Sequence, residues 1–184
     1  MIGYIILALV VVILLWLLMA YNGLIAARNQ TDEAWSDIDV QMKRRYDLIP
    51  NLVESVKGYV KQEKDVLEEV TKARADAISA GQSGFKQQEQ AENVLTGALR
   101  SVFAVAENYP DLKSSTNFQQ LSTELADTED KIMAARRFYN ANVRDFNTKI
   151  QVIPTSIFAG IMGFAKKEFF ATDDASKEPV AVSF

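Results

Sequence analysis

The sequence predicts an all-α protein: a single N-terminal transmembrane helix followed by an elongated antiparallel helical bundle of about four helical segments. Three observations predict it. Ile2 to Ala20 is an unbroken apolar run. Beyond it, apolar residues recur at three- and four-residue spacing as far as Ile150, the signature of amphipathic helices. Short turn signals then divide that pattern, so the helices fold back on one another. The chain is expected to comprise an anchor at 1–21, a helical-bundle domain at 22–152, an apolar segment at 153–170 and a flexible tail at 171–184.

The anchor comes first. Its 19 residues, IGYIILALVVVILLWLLMA, span roughly 28 Å at 1.5 Å per residue, close to the hydrocarbon thickness of a bilayer. Ile2, Leu7, Val11, Leu15, Trp16 and Leu18 are its lipid-facing candidates. A buried soluble helix is rarely apolar on every face, and a cleaved signal would carry a basic n-region and a small-x-small cleavage site, which this run lacks. The first charged side chain is Arg28, and Lys43, Arg44 and Arg45 follow, so the positive-inside rule expects the N-terminus outside and the helical domain in the cytoplasm.

Trp35, Ile38, Met42, Tyr46, Ile49, Val53, Val56, Val60, Leu67, Val70 and Ala77 form the next stripe, widened by Leu52, Tyr59, Val66 and Ala73. Glu63 and Arg74 fall on or beside it. A break is expected near Asp47, the competing reading being one long helix kinked at Pro50, since the apolar phase resumes at once. There Lys43 to Arg45 suit a helix C-terminus, Asp47 an N-cap and Pro50 a first turn. Gly81, Ser83 and Gly84 make a turn, and a third segment runs from about Phe85 to Asn108, with Ala91, Leu95, Ala98, Val102 and Val105 on its apolar face. Tyr109-Pro110-Asp111 breaks it. Thr116 and Gln119 have capping-box spacing and open a fourth segment carrying Phe118, Leu121, Leu125, Thr128, Ile132, Ala135, Tyr139, Val143, Phe146 and Ile150.

Composition removes whole classes of chemistry. With no cysteine and no histidine, thiol nucleophiles, thiolate metal sites, disulfides and the usual general base are all missing. Net charge is −4 with both signs mixed along the chain, so no nucleic-acid surface stands out. Asp127, Glu129 and Asp130 cluster, but at that helical spacing they diverge. No phosphate loop, nucleophile elbow or metal-spaced ligand set occurs, and no cofactor or catalytic residue is expected. Arg74 and Arg136 are candidates for ion pairs with Glu63 or Glu129. Asn140 and Asn147, like Asn22 and Asn29, lie one heptad apart, where buried asparagine fixes register and exposed asparagine does nothing.

The segment IPTSIFAGIMGFAKKEFF supports two readings. As an interfacial element it would bury Ile157, Phe158, Ile161, Phe164, Phe169 and Phe170 in the bilayer, with Lys166 and Lys167 reaching headgroups. Otherwise it caps the open end of the bundle core. The terminal VAVSF alternates apolar and polar and ends in a carboxylate, so Val180, Val182 and Phe184 are candidates for recognition by a partner's sheet edge.

The chain resembles the LemA family over nearly its whole length. The matching residues include Tyr21-Asn22, Ala34-Trp35, Ile38 to Gln41, the specific stretch RRYDLIPNLV from Arg44 to Val53, Val56 to Tyr59, Ala73-Arg74, Tyr109-Pro110, Thr128-Glu129, Tyr139-Asn140, Asn147 and Pro154. Gln62 departs from the pattern, since family members often carry histidine before the glutamate. The resemblance implies a bacterial membrane protein with one N-terminal anchor and a helical bundle, without established enzymatic activity. Relatives among membrane-organelle proteins of magnetic bacteria imply, by analogy alone, a membrane-organising role. The expected function is that of a membrane-anchored helical scaffold or adaptor at a bacterial cytoplasmic membrane, non-catalytic and self-associating. Its partners are membrane lipid and proteins not identified by sequence. The alternative is a lipid-binding or membrane-shaping module.

Overall fold

A computed structural model describes residues 1–60 and 63–170, and every element among them is a helix. Gln62 and the tail residues Val180, Val182 and Phe184 lie outside the described residues. The helices are α1 (Ile2–Lys57), α2 (Lys64–Ala80), α3 (Phe85–Ala106), α4 (Pro110–Lys113), α5 (Thr116–Gln151) and α6 (Thr155–Ala159). They form one long apolar N-terminal helix and a helical bundle.

The break expected near Asp47 is absent. α1 is a single 56-residue helix that runs through Pro50 and ends at Lys57, where Gly58 follows. Proline inside a helix removes the N–H that would bond the carbonyl four residues earlier, here that of Tyr46. That carbonyl accepts instead from Arg74 Nε of α2, at 2.7 Å. A tertiary donor thus replaces the missing helical one, and the helix continues.

The chain forms two compact units. One comprises Asp39–Met133 with Phe170. Its core joins Ile49, Leu52 and Val56 of α1 to Val70, Ala73 and Ala77 of α2, Leu95, Leu99 and Val102 of α3, and Leu125 of α5. Each fully buried large aliphatic side chain contributes about 1.5–3 kcal/mol. Gly84, at φ +119°, makes the turn into α3, a conformation that side chains with a Cβ rarely adopt. Of the expected face of α3, Leu95, Ala98 and Val102 point inward and Ala91 and Val105 are half-buried; the buried face also takes in Gln88, Glu92, Leu99 and Ala106.

The other unit comprises Met1–Ile38 and Ala134–Phe169. Leu24 and Ala27 of α1 pack with Phe146 and Ile150 of α5, and with Ala159 and Phe164 beyond it. Trp35 meets Tyr139 edge-on at 5.5 Å. After α6, the chain returns along α5. Asn147 fixes it there: Nδ2 donates to the Lys167 carbonyl and Oδ1 accepts from the Lys167 N–H, each at 2.9 Å. The Tyr139 hydroxyl adds a bond to the Glu168 carbonyl at 3.1 Å.

Candidate functional site

Two places concentrate chemistry, one in each unit. The first is the end of the anchor-bearing unit. Leu15 and Leu18 are exposed, as are Ile2, Leu7 and Val11, and α1 is long and apolar enough to cross a membrane. Trp16 differs, because its ring meets that of Phe158 with centroids 6.0 Å apart. Five residues further along α1, Tyr21 meets Phe164 edge-on at 5.9 Å, and the Arg28 guanidinium lies 5.8 Å from the centre of the same ring. Further still, Lys167 forms an ion pair with Asp32.

These contacts split the residues proposed for an interface. Phe164 is buried in the core of its own unit, and Phe170 is buried in the other, against Phe85. Both rings are already covered by other aromatic side chains, so the structure does not offer them as lipid-facing residues. Phe158 is half-buried on Trp16, and Lys167 is committed to Asp32 and Asn147. Ile157 and Ile161 remain exposed at 61% and 84%, Ile153 joins them at 83%, and Phe169 and Lys166 are exposed as well.

The second place is a buried ion network in the Asp39–Met133 unit. Arg45 is only 1% exposed. Its guanidinium pairs with Glu92 of α3 and Glu129 of α5, and donates to the Thr96 hydroxyl at 3.0 Å. The Tyr46 hydroxyl donates to the other oxygen of Glu92. Burial pushes the Glu92 carboxyl above the usual range, against the opposing pull of Arg45 and Tyr46. Burial likewise raises the Tyr46 phenol, reinforced by the charge of Glu92. Arginine suits this position because its planar fork serves two carboxylates at once.

The network corrects the reading of Lys43 to Arg45 as the basic end of a helix. Lys43 and Arg44 are exposed, Lys43 beside Asp47 at 3.7 Å, whereas Arg45 lies on the seam between Met42 and Ile49. It also reassigns the expected pairs. Glu129 serves Arg45, and Arg74 serves a backbone carbonyl. Asp127 is paired with Lys131 at 2.7 Å, which holds its carboxyl below the usual range. Glu92 was missed altogether, although its phase with Leu95 and Leu99 was readable. Of the asparagines, Asn147 is buried and clamps backbone, while Asn22 and Asn29 are exposed. Among the described residues, no group of three His, Cys, Asp or Glu could hold a metal ion.

The family model described as LemA family matches residues 34–184. Magnetosome protein MamQ 2 of Paramagnetospirillum magneticum is 26% identical, over 93% of this chain and 72% of its own length. Magnetosome protein MamQ of Magnetospirillum gryphiswaldense is 27% identical, over 89% of this chain and 69% of its own. Protein LemA of Metamycoplasma hominis is 29% identical, over 88% and 74%. None of these names is an enzyme's. With its exposed apolar helix, the chain is a membrane-associated protein.

Proposed function

The chain belongs to the LemA family, and on that premise we propose that it is a non-catalytic, membrane-anchored helical scaffold or adaptor of a bacterial cytoplasmic membrane. It recruits protein partners and self-associates, with its N-terminus outside and its helical domain in the cytoplasm. One observation carries the reading: α1 passes without interruption from the exposed apolar run to residues packed in the bundle. No linker separates anchor from bundle, so whatever binds the bundle is held at the membrane. The interior charges fit the same reading, since Arg45, Glu92 and Glu129 are consumed by one another.

In vivo crosslinking of the anchored full chain, followed by mass spectrometry, tests it. Specific protein partners or a defined homo-oligomer are the expected result. A profile no different from that of an unrelated single-helix anchor overturns it. Deleting Val180 to Phe184 is expected to reduce partner recovery; unchanged recovery removes the tail from the binding surface.

The second reading, a lipid-binding or membrane-shaping module, is favoured by the exposure of Ile153, Ile157 and Ile161 beside an anchor-contacting phenylalanine.

A further inference from the structure

We infer that the segment from the α5–α6 turn through α6 to Ile161 is a second membrane-contact element, in which Ile153, Ile157 and Ile161 enter the acyl region of the leaflet bordered by Tyr21. The inference rests on the membrane anchoring of α1.

Depth is the first argument. Phe158 lies against Trp16, and Phe164 against Tyr21, so the turn is fixed to α1 at known positions. The apolar run continues to Ala20 and the first charge beyond it is Arg28. At 1.5 Å per residue, Trp16 lies about 7 Å below Tyr21 and about 18 Å below Arg28. Phe158 and its neighbours therefore sit inside the apolar boundary whenever α1 spans the bilayer. That is the depth at which interfacial apolar side chains are buried, roughly 5–10 Å.

Composition agrees. From Ile150 to Ala165 there is no charged residue, and exposed Lys149 and Lys166 bracket the stretch. Lysines there can keep their ammonium groups among headgroups while their stems lie along the apolar surface. The exposed isoleucines are the second argument: in a unit that buries Ala159 and Phe164 at 3% and 8%, Ile157 two residues before Ala159 and Ile161 two residues after it are left exposed. The occupant is lipid because the patch continues the exposed apolar surface of α1 at the same level. The wedge lies in one leaflet only, since, among the described residues, 2–15 of α1 are exposed throughout.

The chain has no cysteine, so single cysteines report one position each. The full-length protein carrying I157C or I161C, labelled with an environment-sensitive fluorophore, is reconstituted in vesicles of phosphatidylethanolamine and phosphatidylglycerol. V11C in the anchor and V94C on the exposed face of α3 are the references. The expected result is a blue shift at Ile157→Cys and Ile161→Cys matching that of Val11→Cys, with stronger quenching by shallow than by deep spin-labelled lipid. Water-like emission matching Val94→Cys overturns the inference while leaving the anchor intact. A blue shift without lipid quenching also overturns it, because a second copy or another protein then covers the patch. Water-like emission at Val11→Cys as well overturns the anchoring itself.

Discussion

The two units invert each other. The Asp39–Met133 unit buries an arginine and a glutamate, whereas the anchor-bearing unit leaves Ile153, Ile157 and Ile161 uncovered. In water, each arrangement is the costly one: charge inside demands partners, and apolar surface outside demands cover. The first demand is met at both terminal guanidinium nitrogens of Arg45, by Glu92, Glu129 and Thr96, with Tyr46 on Glu92, and of its nitrogens only Arg45 Nε lacks a partner among the described residues. The second is not met among the described residues. A buried polar network thus specifies how helices pack, while an uncovered apolar end specifies what lies outside the protein.

Removing the arginine breaks the contrast most severely. Arg45→Met leaves Glu92 buried without its counter-charge and is expected to destabilise by about 3–5 kcal/mol. Urea denaturation of the full chain in micelles, followed by circular dichroism, measures it; a loss below about 1 kcal/mol would mean that the network contributes little. The same network sets a pH dependence. Because the folded-state pKa of Glu92 is raised, this group's contribution to stability is present below the ordinary value of 4.5 and is lost as pH rises through the folded value. Glu92→Gln removes that downward slope. A parallel pH profile for the variant and the parent would show that Glu92 does not cause it.

Next in size is the clamp that holds the returning chain. Asn147→Ala deletes both bonds to the Lys167 backbone and is expected to cost about 2 kcal/mol. Hydrogen exchange at the Lys167 amide should accelerate, while amides in the core of the other unit keep their protection. A smaller coupling, about 1 kcal/mol, is expected between Pro50 and Arg74. Arg74→Met orphans the Tyr46 carbonyl only while Pro50 withholds the helical donor, so the loss should shrink in a Pro50→Ala background. Additive effects of the two substitutions would mean that Arg74 acts by packing alone.

Helix content, turn positions and most of the α5 seam were legible because they depend on local periodicity and on Gly84, Pro110 and their neighbours. Arg45 was legible by phase, being three residues after Met42 and four before Ile49, but the basic triplet read as a helix C-terminus and that outweighed the register. The continuity of α1 was legible only as the competing reading, from the apolar phase that resumes past Pro50. Its rescue comes from Arg74, 28 residues away from Tyr46, and no local signal at Pro50 announces that donor. The apolar end was half legible: the sequence marked Ile153 to Phe170 as one segment, yet only tertiary contacts separate core-facing Phe164 and Phe170 from uncovered Ile157 and Ile161.

The smallest effect is the most discriminating. Ile157→Ser with Ile161→Ser is expected to change unfolding stability in micelles by no more than about 0.5 kcal/mol, because neither side chain is packed in the folded unit. Phe158→Ser, by contrast, loses the contact with Trp16 and should cost more. If the double isoleucine variant instead loses stability comparable to the phenylalanine variant, those side chains are part of a protein core and a second chain covers them. If stability holds while lipid quenching at a label on Phe169→Cys falls, the isoleucines hold the turn in the bilayer, and their exposure is set by the lipid phase rather than by a gap in packing.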